Sequence, residues 1–281
     1  MHDADCVAFL QWALPRMRLH WPGFRKVRRQ VCKRIDRRLQ TLGLADAAAY
    51  RSYLAAHAAE WDTLRGLCTV PISRFYRDRE VFACLGHTVL PALAAAAVQR
   101  AQHTLDCWSA GCAGGEEPYT LSILWTLALA GRYPGLALRV LATDADPLAL
   151  GRAAAGAYGS SSLKELPAPW RALAFEECAG EYRVRERFRA AVEFARQDLG
   201  ETIPERRFDL VLCRNLVLTY FAPDLQRELM PRIIATLRPG GALVLGIHES
   251  LPEGSAELVP WPGARAIFRK GALPHDGPAA L

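Results

Sequence analysis

The chain has 281 residues, 51% hydrophobic and 23% charged, which is material for one full α/β domain and a smaller companion but not for three domains. Its apolar runs read as too short to cross a bilayer and residues 1–15 lack a charged-then-apolar leader, so a soluble, cytoplasmic protein without membrane insertion is expected. The net charge of +6 is concentrated in residues 25–38, which argues for attraction to an acidic partner surface rather than for a protein basic throughout.

In chain order, residues 1–80 read as helices. Val27, Val31, Ile35 and Leu39 recur at four-residue steps within the basic stretch, one apolar stripe on an otherwise charged helix. Helices are expected over 47–59 and 60–68, with Gly43 as a stop signal and Asp46 and Asp62 as start signals. An alanine-rich linking helix follows at 90–98. From residue 104 the texture changes to short apolar strands, at 104–109, 138–143, 192–195, 208–213, 241–246 and 266–269, alternating with helical stretches. That alternation predicts a parallel sheet with crossover helices, a Rossmann-like α/β domain over 81–270 behind a helical domain over 1–80, with a flexible tail at 271–281.

The seven histidines are scattered, without an HExxH pair or a His/Cys cluster, and no metal is expected. The eight cysteines contain no CxxC pair and several sit in apolar runs, so reduced core thiols are expected rather than disulfides.

The chemistry gathers at the ends of the expected strands. After the first, Ser109-Ala110-Gly111-Cys112-Ala113-Gly114-Gly115-Glu116-Glu117 is a glycine-rich turn into a helix, where a Cβ at Gly111 or Gly115 would obstruct a ligand. Acidic Glu116 and Glu117 at the helix start would repel a pyrophosphate, which favours a cationic cofactor such as S-adenosyl-L-methionine. The plain alternative is a tight turn whose glutamates complement the helix dipole. After the second strand, Asp144 is assigned to the hydroxyls of a ribose and Asp146 to capping the helix that begins near Pro147. Beyond the third, Asp198 is placed for the adenine amino group and Leu199 for covering the ring, against the alternative of a solvated or capping Asp. Arg214 and Asn215 lie where the fourth strand meets the crevice, with a structural ion pair as the alternative for Arg214.

Taken together, Ser73-Arg74-Phe75-Tyr76-Arg77-Asp78, the stretch 109–119, 142–146, Ala157-Tyr158, 213–221 and 237–241 resemble the CheR-type chemoreceptor methyltransferases over roughly residues 25–270. The resemblance implies S-adenosyl-L-methionine as cofactor, S-adenosyl-L-homocysteine as product, and O-methylation of protein glutamate. It assigns the methyl-proximal arginine to Arg77, the tyrosine near the cofactor methyl to Tyr220, the acid for the cofactor amino group to Glu116, and the ribose acid to Asp144. The remaining cofactor contacts it implies are Ser73, Gly111, Cys112, Ala145, Asp198, Leu199, Arg214 and Asn215. Departures fall at residues 68–73, at Gly114 where a Ser or Thr is usual, and at Gly246-Ile247-His248-Glu249, where the histidine is shifted by one and reads as structural. The stretch 175–188 matches a small antiparallel insertion of receptor-binding members but carries no obvious hairpin signature.

The acceptor implied is an acidic protein such as a chemoreceptor cytoplasmic region, with a small carboxylate or amine in a biosynthetic pathway as the alternative and a non-catalytic cofactor sensor as a second. Nucleic acid is not expected, because no Asn-Pro-Pro-Tyr motif appears and the basic residues are concentrated on one helix.

Overall fold

The computed structural model describes residues 2–70 and 73–271. The chain divides into two compact units, residues 1–71 with 216–227 and residues 72–215 with 228–281. The first boundary falls before residue 80 because Phe75 is buried in the core of the second unit, among Tyr119, Tyr158 and Phe175. The expected tail, Gly271 apart, lies outside the described residues, as do Pro71 and Ile72.

The first unit is helical, with helices Asp3–Ala13, Arg28–Leu42, Ala47–Ala56 and Glu60–Cys68. The stripe Val27, Val31, Ile35 and Leu39 is buried against Phe9, Leu10, Tyr50 and Leu64, as the four-residue spacing requires. Gly43 ends the basic helix in the left-handed region at φ +67°, and Asp46 caps the next by accepting the Ala49 N–H at 2.8 Å. Asp62 is not a start signal: the helix opens at Glu60, and Asp62 lies within its first turn. A tertiary ion pair holds that end. Arg38 forks onto Glu60 at 2.9 and 2.7 Å and the Tyr50 hydroxyl donates at 2.7 Å, which holds the Glu60 carboxyl below the usual range. The basic helix is thus partly committed internally, with Arg28 on Asp3 and Arg34 on the carbonyls of Leu67 and Thr69. Arg25, Lys26, Arg29, Lys33 and Arg37 remain exposed.

The expectation that every cysteine is reduced is overturned at one pair. Cys6 and Cys32 are joined in a disulfide, because the first helix and the basic helix bring their Cα atoms to 5.9 Å, a proximity invisible at a separation of 26 residues. The other described cysteines are free. Burial pushes the Cys68 thiol up to about 12 and those of Cys107 and Cys112 well above their ordinary value, so they stay protonated.

The second unit is built on a seven-stranded sheet of β1 (Thr104–Ala110), β2 (Ala137–Asp144), β6 (Val192–Arg196), β7 (Phe208–Leu212), β8 (Leu237–Val244), β9 (Leu258–Pro260) and β10 (Ile267–Lys270), in the order β6-β2-β1-β7-β8-β10-β9. β6, β2, β1, β7 and β8 run parallel, and β10 is antiparallel to both neighbours. The chain winds outward from β1 in one direction through β2 and β6 and in the other through β7 and β8, which makes the carboxyl ends of β1 and β7 the topological switch point. β8 begins four residues before the expected start at 241. Its Pro239-Gly240-Gly241 is an irregularity within the strand rather than a separate turn, with Gly240 at φ +78° and the pairing register shifted at Phe208/Leu210.

The expected linking helix is longer than its alanine run. Helix Arg79–Gln99 has a mean hydropathy of 1.9 over its most apolar window, and by length and composition it corrects the reading that no apolar run is long enough to cross a bilayer. Its Val81, Phe82, Leu85, Val89, Leu93 and Ala97 lie in one core with Leu105 and Cys107 of β1 and Ala242 and Val244 of β8, and this burial accounts for its composition. A separate three-stranded sheet joins β3 (Ala157–Tyr158), β5 (Glu181–Val184) and β4 (Phe175–Cys178). β4 and β5 form a hairpin closed by Ala179 at φ 52° and Gly180 at φ 82°, a two-residue turn with both central residues left-handed.

At the amino ends of the strands, Asp209 is almost fully buried, accepting the Asp106 N–H at 3.0 Å and pairing with Arg100 at 2.7 Å and Arg238 at 3.4 Å. Removing that carboxylate strands an interior N–H and costs Arg100 and Arg238 one partner each, so Asp209→Ala is expected to lower unfolding free energy by about 2–3 kcal/mol. Urea denaturation with an unchanged midpoint would show the cluster to be dispensable.

Candidate functional site

The glycine loop after β1 is tied to β2 by backbone. The N–H groups of Gly111 (φ +76°) and Cys112 both donate to the Thr143 carbonyl, at 2.8 and 2.9 Å, and the Ala113 N–H donates to Asp144 Oδ2 at 2.8 Å. Gly115, at φ +88°, begins the following helix, Glu116–Leu124. A Cβ there would come within 2.9 Å of Ala153 Cβ and 3.0 Å of the Tyr158 hydroxyl, so the glycine is required by close packing of protein on protein.

Glu116 is buried, and one of its oxygens, Oε2, meets no hydrogen-bond partner. The Ser73 hydroxyl bonds the carboxylate, yet burial still raises the Glu116 pKa. A buried anionic oxygen without a donor is costly unless a cation completes it. Glu117, its neighbour, is satisfied by protein: Ser109 Oγ donates to Oε1 at 2.8 Å and Arg214 to Oε2 at 2.9 Å. The two adjacent glutamates therefore separate into a vacant acceptor and an internal partner, a distinction the sequence does not carry.

Asp144, at the end of β2, accepts the Ala113 N–H on Oδ2 and the Asp146 N–H at 2.9 Å on Oδ1, with the Ala145 N–H also bonded to it. Three backbone donors on two oxygens leave the carboxylate room for one further donor, such as a ribose hydroxyl. Desolvation raises its pKa against these backbone donors. Asp146 takes the capping role expected of it, accepting the Leu148 N–H at 2.8 Å. Beyond β6, Asp198 Oδ1 accepts the Gly200 N–H at 2.8 Å, closing its own turn, and Leu199 is buried. Next to them the buried Gln197 Oε1 has no partner, a further acceptor at this strand end.

Arg214 follows the alternative weighed for it. Its guanidinium is buried, donates to Asp78 Oδ2 at 2.6 Å, to Glu117 Oε2 at 2.9 Å and to the Arg77 carbonyl at 3.1 Å, and lies 5.3 Å from the centre of the Phe82 ring. Asn215 is left-handed at φ 54°, and its N–H donates to Glu249 Oε2 at 3.0 Å, which also receives the Gly246 N–H at 2.7 Å. Exposed His248 lies in the same turn.

Arg77 stands between two left-handed residues, Tyr76 at φ 60° and Asp78 at φ 62°. Such conformations cost energy in non-glycine residues and persist only where the surroundings over-determine them. Here the Phe75 N–H donates to the Ser162 carbonyl at 3.0 Å, the Tyr76 N–H to Thr120 Oγ1 at 3.0 Å, and Phe75 packs edge-on to Tyr158 and Phe175. Ser73, Arg77, Gly111, Cys112, Glu116, Asp144, Ala145, Asp198, Leu199, Arg214 and Asn215 all belong to the second unit. Tyr220 belongs to the first, its ring edge-on to Phe24 at 5.0 Å. Sequence reasoning missed Asp78, Glu117 and Glu249 as partners. A signal for each was available in its motif: the acid after Arg77, the second glutamate of the helix start, and the last residue of Gly246-Ile247-His248-Glu249.

S-adenosylmethionine fits these residues. Its ammonium matches the unpartnered Glu116 oxygen and its ribose the remaining acceptor capacity of Asp144. Comparison with known proteins agrees. The model of the SAM-binding domain of CheR methyltransferases matches residues 72–264. A chemotaxis protein methyltransferase of Listeria monocytogenes is 34% identical over 199 residues, 71% of this chain and 72% of that protein. That of Salmonella typhimurium is 34% identical over 232 residues, 79% and 76% of the two chains. An uncharacterised 104.1 kDa protein of Rhodobacter capsulatus is 38% identical over 224 residues, 79% of this chain but 23% of that much longer protein.

Because the Glu116 anion attracts an ammonium and its protonated form does not, cofactor affinity should be full above the raised Glu116 pKa and fall as pH drops through it, at a higher pH than an ordinary glutamate would give. Calorimetric titration of S-adenosylhomocysteine should show this loss, and Glu116→Gln should lower affinity at neutral pH while flattening most of the dependence. Asp144→Ala should weaken binding roughly ten- to a hundredfold, the equivalent of a charged hydrogen bond. Unchanged affinity would leave Asp144 a purely structural residue.

Proposed function

Because this chain belongs to the CheR methyltransferase family, we propose that it methylates glutamate side chains on the cytoplasmic region of a chemoreceptor, forming carboxyl methyl esters. Bound S-adenosylmethionine supplies a methyl group activated by its sulfonium. Glu116 with Ser73 holds the cofactor's amino group and Asp144 its ribose. Asp198 and Leu199 border the adenine.

A glutamate acceptor is already ionised at neutral pH, so no strong general base is needed and positioning carries most of the rate. Arg77 provides it. A guanidinium matches a carboxylate in a two-pronged fork, which fixes one oxygen and leaves a lone pair of the group directed at the methyl. The observation that carries this reading is the setting of Arg77, flanked by two left-handed residues and anchored through Phe75, Tyr76 and Asp78 in the same unit as Glu116 and Asp144. For Tyr220 the family resemblance alone implies a role near the cofactor methyl. The exposed Arg25, Lys26, Arg29, Lys33 and Arg37 recruit the acidic receptor surface through long-range attraction.

The test is transfer of labelled methyl from S-adenosylmethionine in the presence of receptor fragments and cell extract. Label should appear on protein and be released as methanol by mild base, the mark of a carboxyl ester. Label on a small molecule would point instead to a biosynthetic acceptor, and no transfer at all to a cofactor sensor. Arg77→Ala should lose turnover by about a hundredfold or more, in keeping with the value of orienting the reactants, while S-adenosylhomocysteine still binds. Loss of both would merge the roles separated here.

A further inference from the structure

Arg214 lies at the carboxyl end of β7, where a cofactor contact is expected, and it donates to Asp78, Glu117 and the Arg77 carbonyl, while its buried Nε has no partner. Its side chain is 3% exposed. We infer that Arg214, Asp78 and Glu117 form a buried lock that fixes the conformation of the Arg77 loop, so that Arg214 acts on the reaction as a positioning residue. This inference rests on the proposed role of Arg77.

The geometry argues for the lock in three ways. First, the guanidinium reaches the loop twice, through the Asp78 carboxylate and through the Arg77 carbonyl, so it constrains the Arg77–Asp78 peptide unit and the Asp78 side chain, on either side of the Asp78 N–Cα bond at one of two left-handed sites in the loop. Without a partner, a non-glycine residue would leave that region readily. Second, the other side of the guanidinium is held by Glu117, on the helix that follows the glycine loop, and Glu117 is fixed in turn by Ser109 at the end of β1. The loop is therefore referenced to the same strand end and helix that carry Glu116. Third, this ion pair is a poor choice for stability alone. A buried pair gives little net stabilisation over well-packed apolar groups, but it specifies geometry, and a planar five-donor fork can serve three acceptors at set angles where lysine cannot.

Removing Arg214 would strand two carboxylates and risk the fold, so the informative variant is Asp78→Asn, which keeps size and leaves Arg214 paired with Glu117. Two readouts are taken on the full chain. In steady-state methyl transfer, kcat should fall at least about tenfold while the KM for S-adenosylmethionine and the calorimetric Kd for S-adenosylhomocysteine stay within about twofold, the pattern of a lost transition-state interaction. In hydrogen exchange followed by mass spectrometry, peptides covering 75–81 should exchange faster, because the Tyr76 and Val81 amides are bonded in the locked loop, while peptides of β1 and β2 should not. Asp78→Glu, which restores the charge, should recover part of both. Unchanged exchange over 75–81, unchanged kcat, or a comparable loss of S-adenosylhomocysteine affinity would each overturn the lock. Should the wild-type protein transfer methyl to no protein acceptor, the proposed function fails, and the exchange arm still decides whether the lock exists.

Discussion

Arg214 carries a permanent charge into the interior at the end of β7, and the site is arranged around neutralising it. Two carboxylates converge on it from different elements, Asp78 from the loop before helix Arg79–Gln99 and Glu117 from the helix after the glycine loop, and a backbone carbonyl takes a further N–H. Burying an ion is tolerable only when it is paired and hydrogen-bonded, so these elements meet in one arrangement or leave charge stranded. Stability is a minor part of what this confers. A register is set between segments distant in sequence, Arg77 and Arg214 being 137 positions apart.

Beside that ion-paired cluster lies a carboxylate that the protein leaves incomplete. Glu116 shares its helix turn with Glu117 but points one oxygen where no donor waits, and burial raises its pKa against the lowering effect of its hydrogen bonds and of Arg152. The contrast between neighbours is the chemical signature of the site. Glu117 belongs to the scaffold, whereas Glu116 is complementary to a charge brought by the ligand. Asp144 lies between these extremes, held by backbone donors on each oxygen and still able to accept more. The parallel sheet brings these groups together without any long-range code, since each lies within a few residues of a strand's carboxyl end and the strands meet at a switch point.

The helical unit shows the same economy with charge. Part of the basic helix that reads as a docking surface is spent on internal bonds, Arg38 on Glu60 above all, which leaves a narrower set of exposed cations than the composition suggests. The Cys6–Cys32 bridge ties this helix to the first one, on the side where Val31 and Ile35 already pack.

Much of the architecture was legible because it rests on local periodicity. Four-residue steps at Val27, Val31, Ile35 and Leu39 marked a buried face, short apolar runs marked the parallel strands, and Asp46 and Asp146 marked helix starts that follow from capping alone. The β4–β5 hairpin escaped notice since its left-handed turn is made by Ala179-Gly180 instead of the asparagine-glycine pair that usually signals one. By itself the sequence determined the succession of elements, the strand ends at which chemistry gathers and the residue types available there, for those depend on neighbours along the chain. Tertiary structure alone decided which residues do what: that Arg214 faces protein and Glu116 does not, that Gly115 makes room for Ala153 and Tyr158, and that two distant cysteines meet. Such outcomes depend on which groups share a low-dielectric interior, where a charge must find its partner across whatever sequence distance the fold has closed.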